Sequence, residues 1–259
     1  MYGICNLSIV PCRAEPSDKS EMVNQLLFGE HFRVLEMKGS WLYIRCAYDN
    51  YECWMDKKQY MPVSEETYNE LQEIFVPVSM DLVQVVTNKE TNTIIPIVMG
   101  SSLPLFDIDA CNLEGHEFFF DGPCFMPSKI IQKEKIAEHA YSYLNAPYLW
   151  GGRSPLGIDC SGFTQVVYKL CGIKIPRDAS QQAQLGQTLS FVEEAEEGDL
   201  AFFDNEEGKI IHVGIYLANN QIIHASGKVR IDHLDHYGIY NAETQSYSHN
   251  LRIMKRIVP

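Results

Sequence analysis

The sequence predicts an α+β protein: a strand-rich first half of small β-barrels, then a half in which helices come first and strands follow. Three observations predict it. Short runs of period-two alternation, separated by turn residues, fill the chain to about residue 127. Two amphipathic helical stretches follow within residues 128–172. Apolar alternating runs then return between Leu200 and Ala225, the helices-then-strands order of an α+β unit. With 46% hydrophobic and 21% charged residues among 259, the chain has ample material for a core.

Taken in order, residues 1–63 read as a first small barrel. Arg13-Ala14-Glu15-Pro16-Ser17-Asp18 is a loop and Gly29-Glu30 a turn. His31–Glu36, Trp41–Arg45 and Glu52–Met55 are strands, the last two parted by Asp49-Asn50. Residues 64–75 form a connecting helix. Ser64 caps it, Glu65 and Glu66 occupy its first turn, and Tyr68, Leu71 and Phe75 recur at helical spacing. Residues 76–127 return to strands such as Thr93–Met99 and Glu117–Phe120, and read as a second barrel. From Ser128, Ile136, Ala137, Ala140, Tyr141 and Leu144 line one helical face, and Pro147 ends that helix. The next helix starts after Asp159. Phe163, Val166, Val167, Leu170 and Cys171 form its apolar face, and Gly172 sits where a helix terminates. Leu200–Phe203, Ile210–Leu217 and Gln221–Ala225 are the following strands, the last two joined at Asn219-Asn220.

Charge and cysteines narrow the classes of function. The net charge is −13, with 8 basic against 19 acidic side chains in residues 1–127 and 13 against 15 in residues 128–259. Binding of nucleic acid needs a cationic face and is not expected. No apolar run reaches the roughly 18 residues of a spanning helix. The amino terminus, Met1-Tyr2-Gly3-Ile4-Cys5, has neither the basic start nor the apolar core of a signal peptide, so a cytoplasmic protein is expected. Eight scattered cysteines without a Cys-x-x-Cys pair read as reduced thiols.

Phosphate-binding, dinucleotide-binding and serine-elbow motifs are missing. His116-Glu117 lacks the second histidine of a zinc peptidase, and His233 and His236 read as residues of a solvated turn rather than a metal site. Cys160 stands out because it opens an amphipathic helix behind Asp159 and a glycine-rich approach. The first helical turn offers unpaired N–H groups and the positive end of the macrodipole. These favour thiolate and can receive an oxyanion. Cys171, on the apolar face of the same helix, reads as a core filler. A cysteine nucleophile needs a base, and the base an orienting partner. His212 shares a strand face with Gly214 and Tyr216, while Ile211, Val213, Ile215 and Leu217 share the other, and His224 lies on the next strand.

These residues form recognisable blocks: Tyr148-Leu149-Trp150-Gly151-Gly152, Asp159-Cys160-Ser161-Gly162, Gly198-Asp199-Leu200 with His212-Val213-Gly214-Ile215-Tyr216, and Ile223-His224-Ala225-Ser226. In order and spacing they resemble the NlpC-type cysteine peptidases, a circularly arranged papain-like family acting on peptidoglycan peptides. The resemblance covers residues 128–259. Residues 1–127 resemble two bacterial SH3-like barrels set ahead of the peptidase. The first carries the match more fully, through Arg13–Ser17 and Asn50–Trp54, with Cys53 where that family has glycine.

The resemblance implies Cys160 as nucleophile, His212 as general base and acid, His224 as the residue orienting His212, and Tyr148 as a hydroxyl near the oxyanion. In the three-domain subgroup with this layout, the substrate is a murein peptide with a free N-terminal L-Ala, cut between γ-D-Glu and the diamino acid. Asp159 and Ser161 correspond to residues holding the amino end, Arg177 to one near the D-Glu carboxylate, and Glu15 and Tyr51 to positions closing over the amine. For three of these the residues alone allow another reading: Asp159 a helix cap, Arg177 a surface ion pair, Glu15 a solvated loop acid. No metal or cofactor is implied, the partner is a peptidoglycan-derived peptide, and a monomer is expected. The rival readings are an acyltransferase or amidase on the same fold, and a silent wall-binding module.

One geometric expectation follows. A two-residue turn at Asn219-Asn220 would pair Ile215 with His224 and put the two histidines on opposite faces. An odd-length connection centred on Asn219 would pair Gly214 with His224, making His212 and His224 diagonal neighbours on one face. The triad requires the second register.

Overall fold

The computed structural model describes residues 1–127 and 131–258. These residues divide into two compact units, Met1–Ile131 with Trp150–Pro155, and Gln132–Leu149 with the chain from Leu156 onward. The expected boundary between residues 127 and 128 falls against Ser128–Ile130, which lie outside the described residues.

In the first unit, β1 (Tyr2–Ile4), β2 (Ile9–Arg13), β3 (Met22–Leu27), β4 (His31–Lys38), β5 (Trp41–Cys46), β6 (Glu52–Asp56) and β7 (Met61–Val63) form one antiparallel sheet in the order β3-β2-β6-β5-β4-β1-β7. Val10, Leu26, Phe32, Leu42, Ile44 and Met55 fill its interior beside Cys12 and Cys53. Helix α1 (Glu65–Glu73) is capped by Ser64, whose hydroxyl accepts from the Thr67 N–H at 3.1 Å. It stops two residues short of the expected end, and Phe75 lies outside it, 57% exposed. Leu71 alone of the helix is buried. Next come β8 (Val78–Ser79), β9 (Val83–Asn88), β10 (Ile94–Val98), β11 (Ala110–Leu113), β12 (His116–Phe119) and β13 (Cys124–Phe125). They make a four-stranded sheet, β10-β9-β12-β11, and the pair β13-β8. Ile4 on β1 and Phe28, just past β3, pack into the same core as Val86, Ile97, Leu103 and Phe118. The first sheet thus keeps a core of its own and lends a few residues to the core of the second strand set.

The short segment Trp150–Pro155 is tied into this first unit. Arg153 is buried and its guanidinium grips Glu30 through two bonds of 2.7 and 3.0 Å, while also donating to the Gln25 carbonyl at 2.7 Å. Trp150 donates its indole N–H to Glu21 at 2.6 Å. Gly151 has φ +75°, and a Cβ there would stand 2.4 Å from the Met22 carbonyl oxygen, so only glycine fits.

The second unit opens with α2 (Ile136–Ser142), which buries Ile136, Ala137, His139 and Ala140; Tyr141 and Leu144 face solvent instead of the expected apolar side. Beyond the two-residue strands β14 (Arg153–Ser154) and β15 (Gly157–Ile158) comes α3 (Cys160–Leu170), buried along its whole length and ended near Gly172 at φ +79°. A one-turn helix, α4 (Ala179–Gln182), precedes β16 (Gln187–Leu189), β17 (Leu200–Asp204), β18 (Ile210–Leu217), β19 (Gln221–Ser226), β20 (Lys228–Leu234), β21 (Gly238–Asn241) and β22 (Ser246–Arg256). The order is β16-β22-β17-β18-β19-β20-β21, and a further β21–β22 pairing closes six strands into a ring. Ala201, Phe203, Tyr216, Ile222, Leu234 and Ile239 fill its interior. Helix α3 packs on β18 and β19 from outside. From His212 onward both faces of β18 are therefore buried, and only Ile211 of the expected apolar face emerges, 53% exposed. His233 lies in β20 rather than in a turn; His236 does occupy the turn, 3.2 Å from Glu193.

Candidate active site

Cys160 is the first residue of α3. Asp159 caps the helix, its carboxylate accepting from the Gly162 N–H at 2.7 Å. Capping fixes the helix start, and with it the direction of the thiol. The thiol lies against the Val213 and Ser161 backbone N–H groups, which places it beside the strand that carries His212.

The imidazoles are placed by strand register. Gly214 stands opposite His224 and Leu217 opposite Gln221, so the connection is the three residues Ala218-Asn219-Asn220, with Asn219 and Asn220 at φ +61° and +55°. This is the odd register the sequence required. His212 and His224 become diagonal neighbours on the inner face of the ring, and His212 Nε2 lies 2.8 Å from His224 Nδ1. Gly214 makes this approach possible, because a Cβ there would lie 2.9 Å from His224 Cβ and 2.7 Å from Ile222 Cδ1.

Two neighbours were not foreseen. On β20, His224 stands opposite Arg230, so Asp232 is the next diagonal residue; its Oδ2 is 3.0 Å from His224 Nε2. Arg230 grips that carboxylate with bonds of 2.7 and 3.0 Å. On β22, His249 stacks on His212 with ring centroids 4.1 Å apart and planes 22° from parallel. Repeating the hairpin arithmetic about Gly227 would have found Asp232. His249 gave no comparable signal, since β22 reaches the site by pairing with β17 and β21, strands outside the hairpin of His212 and His224. One nitrogen from each of His212, His224 and His249 lies within 4.8 Å of the others. Stacked rings aim their in-plane lone pairs along nearly parallel planes, so His212 and His249 cannot share an ion unless one ring turns.

The residues expected to bind substrate fall into two groups. Arg177 is 1% exposed and forks onto Asp159 at 3.0 and 2.6 Å, with a third bond of 2.8 Å to the Ser161 hydroxyl. It is a buried pair, not a surface one. Gln182 holds the Arg177 loop to α3, donating to the carbonyls of Ser161 and Pro176 and accepting from the Thr164 hydroxyl. Tyr148 is half-buried near Cys160 and Asp159. Glu15 and Tyr51 belong to the first unit. Glu15 is an exposed loop residue whose N–H donates to the Ser20 hydroxyl, and Tyr51 packs against the first core beside β6.

Residues 145–249 match the NlpC/P60 family and residues 12–59 the bacterial dipeptidyl-peptidase SH3 domain. The chain is 30% identical over 245 residues to dipeptidyl-peptidase 6 of Lysinibacillus sphaericus, covering 86% of this chain and 88% of that one. The protein belongs to the NlpC/P60 family. It is also 27% identical over 230 residues to a gamma-D-glutamyl-L-lysine dipeptidyl-peptidase of Bacillus cereus, covering 81% of this chain and 68% of the relative. The fold matches a Bacillus cereus NlpC/P60 family protein across both whole chains, with a TM-score of 0.84 at 20% identity. This NlpC/P60 protein is thus a peptidase with an SH3-like domain at its N-terminal side.

Protonation in this NlpC/P60 site departs from the sequence expectation. Burial, then the Asp159 charge, pushes the Cys160 thiol up to about 12 despite the two N–H groups beside it. Burial, then the charges of His224 and His249, holds His212 well below its ordinary value. His249 is lowered to about 4, chiefly by burial. Burial, then Cys160 and Asp159, raises Tyr148 to about 12. At neutral pH Cys160 is therefore a thiol and His212 a neutral imidazole.

Proposed function

We propose that this protein is a cysteine endopeptidase that hydrolyses the γ-D-Glu–diamino acid bond of short murein peptides bearing a free N-terminal L-Ala, releasing L-Ala-γ-D-Glu in the recycling of wall peptides. The single observation that carries the reading is the arrangement of a helix-opening Cys160 beside the strand of His212, with His212 Nε2 bonded to His224 at 2.8 Å. The names of the two peptidase relatives support the substrate class. His212 Nε2 is engaged by His224, so Nδ1 is the nitrogen that takes the thiol proton. The sulfur then attacks the γ-amide carbonyl, and the Cys160 N–H at the helix start, with the Tyr148 hydroxyl, receives the developing oxyanion. His212 returns the proton to the leaving amine, and water hydrolyses the acyl-enzyme.

Asp159 and Ser161 are assigned to the substrate's ammonium group. Asp159 Oδ1 already accepts from Arg177, the Gly162 N–H and the Ser161 hydroxyl, so the ammonium is assigned to Oδ2, beside the Arg177 bond of 2.6 Å. Arg177 is assigned a place near the D-Glu carboxylate of the substrate. Mass spectrometry of products from L-Ala-γ-D-Glu-diaminopimelate tests the proposal: L-Ala-γ-D-Glu is expected with the native protein and not with Cys160→Ala. Turnover by Cys160→Ala, or release of another fragment, would overturn it. Transfer to an amine or lipid acceptor in place of hydrolysis would favour the acyltransferase reading.

A further inference from the structure

We propose that Asp232, clamped by Arg230, is a positioning residue that sets the proton tautomers of both imidazoles and so leaves His212 Nδ1 bare, as the base proposed for Cys160 must be. This rests on the proposed roles of Cys160 and His212. The argument follows the hydrogen bonds inward from β20. A carboxylate can only accept, so at 3.0 Å from Asp232 Oδ2 the His224 Nε2 carries a proton. In the neutral ring His224 Nδ1 is then bare and accepts, and the 2.8 Å contact places a proton on His212 Nε2. His212 Nδ1 is left with its lone pair. Each step follows from the one before, and the first is fixed by the charge on Asp232.

That charge is secured by its surroundings. Burial alone would raise the Asp232 carboxyl, yet the bonds from His224 and Arg230, with the Arg230 charge, bring it below its ordinary value. Arg230 binds both oxygens, keeping the carboxylate rigid, and itself meets Glu243 at 3.3 Å. The His224–Asp232 contact is dry, with side chains 1% and 5% exposed. His249, stacked on His212, restricts the ring to this plane. During attack the Cys160 S–H bond breaks and an N–H bond forms at His212 Nδ1. The new imidazolium is stabilised by the His224 lone pair at Nε2–H, and Asp232 gains no proton.

The test is Asp232→Asn, which keeps shape but removes the charge. An amide turned to offer its NH2 would move the His224 proton to Nδ1. His224 would then donate to His212 Nε2 and force the His212 proton onto Nδ1, the nitrogen proposed to take the thiol proton. The expected result is a loss of about a hundredfold in kcat with KM within about twofold. Asp232→Glu should recover part of it. Nitrogen-15 NMR of the imidazoles should show Nε2–H on His212 and His224 in the native protein and Nδ1–H in Asp232→Asn. Native kcat together with unchanged tautomers in the variant would overturn the proposal, as would Nδ1–H on either ring in the native protein, a measurement that stands even if the variant does not fold. Turnover by Cys160→Ala would instead defeat the functional reading, and the native spectrum would still decide the relay.

Discussion

Replacing Gly214 with alanine tests how closely the active site depends on one missing side chain. The new Cβ would lie 2.7 and 2.8 Å from Ile222 Cδ1 and Cγ1 and 2.9 Å from His224 Cβ. Ile222 and His224 are both buried, so neither can swing into solvent. Bringing His224 Cβ to ordinary contact needs a displacement of about 0.6 Å, set against the roughly 3.5 Å contact distance of carbon atoms. Added to the 2.8 Å bond from His212 Nε2, that shift takes it past the hydrogen-bond range of about 3.2 Å. Overpacking of this kind costs about 1–3 kcal/mol. At about 2–4 °C per kcal/mol for a chain of this size, Tm should fall by roughly 2–12 °C. Misplacement of an orienting group by up to 1 Å costs on the order of tenfold to a hundredfold in rate. The assay is kcat for dipeptide release, measured well below the lowered Tm, beside a thermal melt. A lowered Tm with native kcat would refute the link between this register and catalysis, and an unchanged Tm would refute the packing argument itself.

Arg177→Met strips the buried Asp159 carboxylate of its fork and should cost about 3–5 kcal/mol in urea unfolding, and equal stability would show that the pair is not what holds this loop. Acetylating the amino terminus of the peptide should lower kcat/KM about a hundredfold, since Asp159 loses the ammonium assigned to it, whereas equal rates would remove that assignment. Stability should fall in acid. His212 and His249 have folded values below the ordinary one, so the unfolded chain binds more protons, and stability present above about pH 6.5 is lost as pH falls through that value toward about 4. His249→Phe should flatten that acid limb of a Tm-against-pH curve; an unaltered limb would mean His249 does not contribute to it.

What the sequence revealed, it revealed through local pattern. Asp159 as cap, the 3.6-residue periodicity to Leu170 and Gly172 at the end place α3 and therefore Cys160. Alternation along Ile210–Leu217 put His212 and Gly214 on one face, and the demand that His224 join them selected the three-residue loop over the two-residue turn that Asn219-Asn220 suggests. Non-local facts were harder to read. Phe28 and Ile4 are strand or turn residues of the first sheet, yet they pack with Val86 and Phe118, which no local pattern announces. His249 depends on β22 pairing with β17 and β21. The helix terminus supplies only about 0.3–1 kcal/mol toward the thiolate, and burial, the largest influence on Cys160, outweighs it and pushes the thiol up to about 12.

The membership of Trp150–Pro155 in the first unit has an evolutionary consequence. A recombination event that joined a new front end at residue 127 would carry Arg153 along with the peptidase and leave Glu30 and Gln25 behind. The guanidinium would then arrive without the carboxylate that neutralises it, a loss worth about 3–5 kcal/mol for a buried ion pair. Inheritance of the front barrel and of this six-residue stretch is thereby linked. A lineage that exchanges one must alter the other, and Glu30 and Arg153 should change together, as a charge pair or not at all.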